Sequence, residues 1–151
     1  MRDIDNSENT LDSSDVIDRR DELREEREDL EAAIDDAREC FLDCGQVHHA
    51  ARADLLGAID ALADWYDENG GELAILEDFC SGFENYCGRN ETLIRDSYFT
   101  TYAEELASEI GAYPATNNWP LTCIDWDRAA SELQADYSSA EFDGVTYWYR
   151  E

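Results

Sequence analysis

The sequence predicts a mainly α-helical protein, in which an N-terminal helical hairpin or coiled coil precedes a C-terminal helical module that ends in a β-hairpin. Apolar residues recur at helical spacing along most of the chain, and one Asp-Gly pair near the C-terminus lies between aromatic and β-branched residues. With 151 residues, 43% of them hydrophobic, the chain can bury a core. We expect a flexible N-terminus over residues 1–13, an acidic helical region over 14–90 and the C-terminal module over 91–151.

The first predicted helix begins near Asp15 and ends near Cys44. Its apolar residues are spaced by seven, seven and then three or four positions, which is typical of a coiled-coil seam. These seam residues are Val16, Leu23, Leu30, Ala33 or Ile34, Ala37 and Phe41. Acidic residues surround the seam, and only five arginines lie among them. Most of the carboxylates are therefore expected to remain unpaired.

Two further helices are predicted over residues 47–67 and 72–86, separated by Asn69-Gly70-Gly71, because Gly readily adopts the left-handed conformation of a helix end. A short turn at Gly45 should fold the first two helices into an antiparallel hairpin. The apolar face of the second helix contains Leu55, Leu56, Ile59, Leu62, Ala63 and Tyr66, and that of the third contains Leu73, Leu76, Phe79, Phe83 and Tyr86. A linker over 87–90 follows.

The C-terminal module is predicted to open with a helix over residues 96–110, with Asp96 as its N-cap and Gly111 at its end. Its inward side chains are Tyr98, Phe99, Tyr102, Leu106 and Ile110. Two prolines within residues 113–120 predict an irregular loop.

A short helix over residues 126–136 and a hairpin over 138–149 complete the chain. Asp125 precedes the helix as its N-cap, and the apolar residues Trp126, Ala129, Ala130 and Leu133 share one helix face. Asp143-Gly144 predicts a two-residue type I′ turn, since that turn requires positive φ at both central residues.

Residues 91–150 resemble the C-terminal part of ArdA-type antirestriction proteins and of related acidic proteins carried by phages and mobile elements. The matching segments are Tyr98-Phe99-x-x-Tyr102-Ala103-Glu104-Glu105-Leu106, Ile124-Asp125-Trp126, Ala129-Ala130-x-x-Leu133-x-x-Asp136-Tyr137 and Phe142-Asp143-Gly144-Val145-Thr146-Tyr147-Trp148. This resemblance implies a DNA-mimicking inhibitor of restriction enzymes, a family defined more by charge distribution than by a catalytic motif. Residues before 91 show no antirestriction pattern.

The net charge of −27 is the most unusual property of the chain, which has 38 acidic and eleven basic residues and no lysine. Such a charge repels nucleic acid and anionic membranes and attracts basic surfaces. The expected partner is a basic DNA-binding protein of a restriction-modification or CRISPR system, with no direct binding of nucleic acid or membrane. Adaptation to high salt and a GC-rich coding sequence are alternative explanations for the acidity.

DNA mimicry predicts that exposed helical carboxylates contact this partner. Carboxylates three or four residues apart have Cβ atoms roughly 5–6 Å apart. A helix of about thirty residues is roughly 45 Å long, which matches about a dozen base pairs. The candidate partner-binding residues are Asp21, Glu25, Glu28, Asp29, Asp35, Asp36, Glu39, Asp43, Glu104, Glu105, Glu109 and Asp136.

A search of the sequence for catalytic and metal-binding motifs is mostly negative. Cys40, Cys44 and His48 recur every four residues, and Cys80 or Cys87 could add a ligand, but this is not the C-x-x-C spacing of common zinc sites. We therefore expect buried thiols, with no metal and no cofactor. The chain has no Ser/His/Asp signature, phosphate-binding Gly loop or dinucleotide fingerprint, so we do not expect an enzyme.

The predicted function is inhibition of a bacterial defence enzyme, with the DNA-binding channel of a type I restriction-modification enzyme as the favoured target. An anti-CRISPR protein and an acidic coiled-coil assembly protein are the alternatives. The coiled-coil seam is compatible with a homodimer and with an intramolecular hairpin. Without a signal-like or membrane-spanning apolar segment, the protein is expected in the cytoplasm, in the host cell if it is phage-encoded.

Overall fold

The computed structural model describes residues 4–43, 49–86, 90–112, 119 and 121–150. These residues confirm a mainly helical fold with a small antiparallel sheet. The helices are α1 (Ser13–Asp43), α2 (His49–Phe83), α3 (Phe99–Glu109) and α4 (Trp126–Leu133), and the strands are β1 (Thr10–Asp12), β2 (Thr92–Arg95), β3 (Ser138–Phe142) and β4 (Val145–Tyr149). The chain divides into two compact units, here called the helical unit (Ile17–Glu77) and the sheet unit (Met1–Val16 with Asp78–Glu151).

The helical unit contains most of α1 and α2, which carry matching apolar seams. On α1, Leu23 is fully buried, and Leu30 and Ile34 are half-buried, so Ile34 rather than the exposed Ala33 belongs to the seam. The seam of α2 recurs at spacings of three and four residues, as coiled-coil packing requires. It consists of Ala51, Leu55, Ala58, Leu62, Trp65, Asn69, Leu73 and Leu76, all buried or half-buried.

Polar side chains connect α1 and α2 beside these seams. Arg19 lies 2.7 Å from Glu72, and the indole Nε1 of Trp65 donates to Glu26 at 3.0 Å. Glu26 follows Arg19 on α1, whereas its partner Trp65 precedes Glu72 on α2. The two helices therefore run antiparallel, as the sequence predicts.

The prediction that Asn69-Gly70-Gly71 separates two helices is wrong, because α2 runs without interruption through these residues. Each interior Gly costs roughly 1 kcal/mol relative to Ala. Burial of Leu73 and Leu76 directly after the glycines stabilises the helix by about 1.5–3 kcal/mol for each side chain. Packing therefore outweighs the local preference to end the helix.

We expect Gly71→Ala to stabilise the helical unit by about 0.5–1 kcal/mol, since a Cβ at this helical position meets no atom within 4 Å. Urea denaturation of the full chain measures the effect. Gly70→Ala is the matched control. Its Cβ would lie 3.0 Å from Cδ1 of Tyr66, so this substitution should stabilise the helical unit less than Gly71→Ala does. Destabilisation by Gly71→Ala would contradict a helical conformation at this residue.

In the sheet unit the strand order is β1-β2-β4-β3, and every neighbouring pair is antiparallel. Strand β1 lies within residues 1–13, which the sequence suggested would be flexible. Leu11 pairs with Leu93 of β2, and both side chains are buried. The hydroxyl of Tyr147 donates to the carbonyl of Glu8 at 2.8 Å. Strand β1 thus forms one edge of the sheet. The two compact units therefore do not coincide with the expected ranges 1–13, 14–90 and 91–151.

The predicted hairpin is confirmed as β3 and β4, joined by Asp143 with φ +46° and Gly144 with φ +76°. The N-cap of α4 is also confirmed, because Asp125 accepts a hydrogen bond from the backbone N–H of Arg128 at 3.1 Å. Helix α4 ends at Leu133, and a 3₁₀ turn continues through residues 134–136.

Asp96 does not cap α3 as the sequence predicts. A 3₁₀ turn over residues 96–98 precedes α3, and no side chain caps either the turn or the helix. The Asp96 carboxylate instead accepts a hydrogen bond from the indole Nε1 of Trp148 at 2.8 Å. The carboxylate is therefore bound to a side chain of β4 and does not accept a hydrogen bond from the backbone N–H groups at the start of α3. At the other end of α3, Gly111 has φ +72°, as expected for a helix end.

The core of the sheet unit has two aromatic parts. Phe79 stacks on Phe142, with ring centroids 4.8 Å apart, and contacts Tyr147 at 5.8 Å. A second cluster contains Ile94, Phe99, Ala103 and Ala130, with Tyr102, Leu133, Tyr137 and Trp148 packed against it. Burial, together with the hydrogen bond to Tyr102, raises the pKa of the Tyr137 phenol above its ordinary range.

The turn at Gly45 and most of the expected linker and irregular loop, over residues 87–90 and 113–120, lie outside the described residues. Among the residues that are described, no helix has the length and apolar character needed to span a bilayer.

Candidate partner-binding surface

Eight of the candidate residues lie on α1, and we call this set the acidic stripe. Its members are Asp21, Glu25, Glu28, Asp29, Asp35, Asp36, Glu39 and Asp43. They recur mainly at spacings of three or four residues, with one interruption at Ala32, so they follow one face of the helix. That face is opposite the seam, because Leu23, Leu30 and Ile34 fall on the other side of the same helical turns. All members are exposed except Asp21, which is half-buried.

Within the described residues, most of the acidic stripe is not paired with a cation. Asp21 lies 2.7 Å from Arg20. The other seven members make no ion pair with any residue that the structure describes. Their charges therefore face solvent, and they repel one another along the helix.

The arginines of α1 mostly pair with carboxylates outside the stripe. Arg19 contacts Glu72 and Glu22, at 2.7 and 3.1 Å, and Arg24 contacts Glu77 at 2.8 Å. The hydrogen bonds to Glu72 raise the pKa of Arg19 above its ordinary value, so this guanidinium stays charged. The pairs with Glu72 and Glu77 link the two helices, and none of these three pairs neutralises the stripe. The sequence shows that arginines are few, but which carboxylates they contact depends on the packing of α1 against α2.

The density of carboxylates on α1 is close to the density of phosphates on one DNA strand. Its 31 residues include thirteen acids and five arginines. At about 1.5 Å per residue the helix is roughly 46 Å long, so carboxylates occur about every 3.6 Å, close to the roughly 3.4 Å per phosphate of one strand. After subtraction of the arginines, one net negative charge remains about every 6 Å.

Helix α2 adds exposed carboxylates that the candidate set omitted. Those within the helical unit are Asp54, Asp60, Asp64, Asp67 and Glu68. They recur at helical spacing outside the seam of α2, and this periodicity could have identified them in the sequence. With them, both helices of the helical unit carry exposed negative charge.

The remaining four candidates belong to the sheet unit. Glu104, Glu105 and Glu109 are exposed on α3, and Asp136 is exposed in the turn after α4. Glu105 accepts a hydrogen bond from the hydroxyl of Tyr98 at 2.7 Å, and this bond raises the pKa of Tyr98. The carboxylate of Glu105 is thus partly engaged within the protein. The four residues form a smaller and more scattered set than the acidic stripe.

Of Cys40, Cys44 and His48, the residues of the possible metal site, Cys40 lies within the described part of the chain. The expectation of a buried thiol is wrong for Cys40, which is exposed and free, whereas Cys44 and His48 lie outside the described residues. Within the described ranges, no cluster of His, Cys, Asp and Glu could hold a metal ion.

No protein-family model, curated protein or solved structure matches this chain. The resemblance of residues 91–150 to ArdA-type proteins therefore stays a prediction, and the mechanism proposed below depends on the physical properties of the surface.

Proposed function

We propose that this protein inhibits a bacterial defence enzyme by mimicking DNA and occupying a basic DNA-binding channel. The observation that carries the proposal is the acidic stripe, a row of mostly exposed carboxylates on one continuous helix with seven of eight members outside any ion pair with a described residue. A channel lined by Lys and Arg would supply the missing counter-charges. Binding would relieve the repulsion within the stripe and exclude DNA without any catalytic step.

A rigid helix is important for this function. A flexible acidic chain would have to lose backbone entropy on entering the channel, whereas the backbone of α1 is already ordered as a helix. The buried side chains of the seam, among them Leu23, Leu73 and Leu76, stabilise that arrangement against the repulsion between like charges.

A type I restriction-modification enzyme is the proposed target, because residues 91–150 resemble ArdA-type proteins. The nucleic-acid channel of a CRISPR effector complex is the alternative, since it too is basic. An acidic coiled-coil assembly protein differs from both, because its binding should map to the coiled-coil seam and persist at high salt.

We expect this protein to displace labelled DNA from a purified type I methyltransferase, and to do so less effectively as salt rises. Opposite charges at the edge of an interface attract less strongly when the Debye length shortens from about 30 Å at 0.01 M to about 8 Å at 0.15 M salt. A titration at these two ionic strengths, corrected for the salt dependence of DNA binding itself, measures the effect. Absence of displacement by the folded protein at both ionic strengths would exclude this target and direct the same assay to CRISPR complexes.

A further inference from the structure

A row of apolar side chains on α2 is exposed beside the seam. Leu56, Ile59 and Tyr66 are 49%, 44% and 45% exposed, and Ala63 lies between the last two. Their spacing of three, four and three residues places them on one continuous strip of the helix. Contiguous apolar surface of this kind marks an interaction site more often than isolated exposed side chains do.

The same side of the helical unit carries most of its arginines. Arg20, Arg24, Arg27 and Arg38 fall on one flank of the α1 seam by helical spacing. Glu77 lies three helical turns after Tyr66, so it is on the same face of α2 as the apolar strip. The ion pair between Arg24 and Glu77 therefore shows that this flank of α1 is next to the strip. Arg52 lies one turn before Leu56 on the strip. Five of the six arginines between residues 17 and 77 are thus on this side, which we call the arginine side.

The opposite side of the helical unit is acidic. Arg19 is the one arginine between residues 17 and 77 that lies on this side, and the acidic residues Glu22, Glu26 and Glu72 lie around it. A chain with a net charge of −27 repels other copies of itself over most of its surface. On the arginine side, cations, apolar side chains and a few acids such as Glu31 occur together.

Two features of the helical unit would change if a partner packed against the arginine side. Arg27 Nε lies 3.6 Å from Glu31, which is too long for a hydrogen bond, and this buried N–H has no hydrogen-bond acceptor among the described residues. Seam residues such as Leu30, Ile34 and Leu62 remain half-buried, because two helices alone cannot enclose them. A further pair of helices on this side would increase their burial.

We propose that the arginine side is a homodimer interface, where the helical units of two copies pack as a four-helix bundle. A two-fold interface brings the same surface of both copies together, so it must be self-complementary. The arginine side meets this requirement with an apolar centre and charges of both signs, the arginines of one copy facing Glu31 and Glu77 of the other. This inference does not depend on the proposed function.

The available surface is large enough for a stable dimer. Two adjacent helices of about 27 residues present a side roughly 40 Å long and about 20 Å wide, or about 800 Å² on each copy. This is the area per partner of a standard protein interface. The acidic stripe lies on the face of α1 that points away from the seam, so the dimer leaves it exposed.

Sedimentation equilibrium of the full chain tests the proposal. We expect a species of twice 17.2 kDa at high protein concentration, and tighter association as salt rises, because salt screens the repulsion between two chains of −27. Ile59→Glu and Tyr66→Glu should each weaken dimerisation at least about 30-fold, since each places a carboxylate in the apolar centre. Circular dichroism confirms that the variants keep their helices.

Ile75→Glu is the matched control. Ile75 is 37% exposed on a different face of α2, so the same change should leave dimerisation unaltered. A wild-type chain that remains monomeric at every soluble concentration overturns the proposal, as does equal weakening by Ile75→Glu and Ile59→Glu. Because the assay contains no target enzyme, its failure is independent of whether the chain inhibits one.

Discussion

Inhibition of the target enzyme is expected to be lost when four carboxylates of the acidic stripe are replaced by lysine. The four are Glu25, Glu28, Asp35 and Glu39, which are exposed and make no ion pair with a described residue. Each replacement changes the charge by two, so the net charge goes from −27 to −19. Like charges facing each other across an interface cost several kcal/mol, so we expect affinity to fall at least about 100-fold. The displacement assay measures this loss, and thermal denaturation verifies folding.

A second quadruple variant separates the position of the charges from their sum. It replaces four exposed acids of the sheet unit with lysine and reaches the same net charge of −19. These are Glu104, Glu109, Asp136 and Glu141. If recognition occurs on the acidic stripe, this variant keeps most of its inhibition. Equal losses in both variants would mean that net charge alone drives binding, and a loss confined to this second variant would locate the interface on the sheet unit.

Structural features determined by neighbouring residues could be predicted from the sequence. The N-cap at Asp125 needs only the N–H groups of the next turn, and the turn at Asp143-Gly144 needs only positive φ at two residues. The position of the acidic stripe also follows from sequence, because a 3.6-residue period assigns each carboxylate to a helix face. Local geometry thus accounts for the hairpin and for most of the candidate surface.

Features that depend on distant contacts could not be predicted. Strand β1 pairs Leu11 with Leu93, and no local pattern connects these two residues. Asp96 contacts Trp148 rather than the start of α3, so a strong N-cap residue serves another role. The continuity of α2 through Gly71 likewise reflects packing that occurs only after α1 and α2 associate. The charge that remains on the stripe is known only once the partners of the arginines are known.

Phe79→Ala should destabilise the sheet unit by about 3–5 kcal/mol, the usual cost of truncating a buried Phe. Only 1% of Phe79 is exposed, and its ring contacts Phe83 on its own helix and Phe142 and Tyr147 on the two strands of the hairpin. The cavity would remove contacts on all three sides, and the rigid strands could fill it only partly. Urea denaturation followed by near-UV circular dichroism and tryptophan fluorescence measures the change.

Tyr86→Ala is the control for Phe79→Ala, because Tyr86 is an aromatic residue just beyond α2 that is 63% exposed. Removal of an exposed side chain away from caps and buried networks should change stability by no more than about 0.5 kcal/mol. Equal changes in the free energy of unfolding would mean that the contacts of Phe79 with Phe142 and Tyr147 do not stabilise the sheet unit. A large loss for Phe79→Ala alone would show that these aromatic contacts, formed between residues more than 60 positions apart, stabilise the fold of the sheet unit.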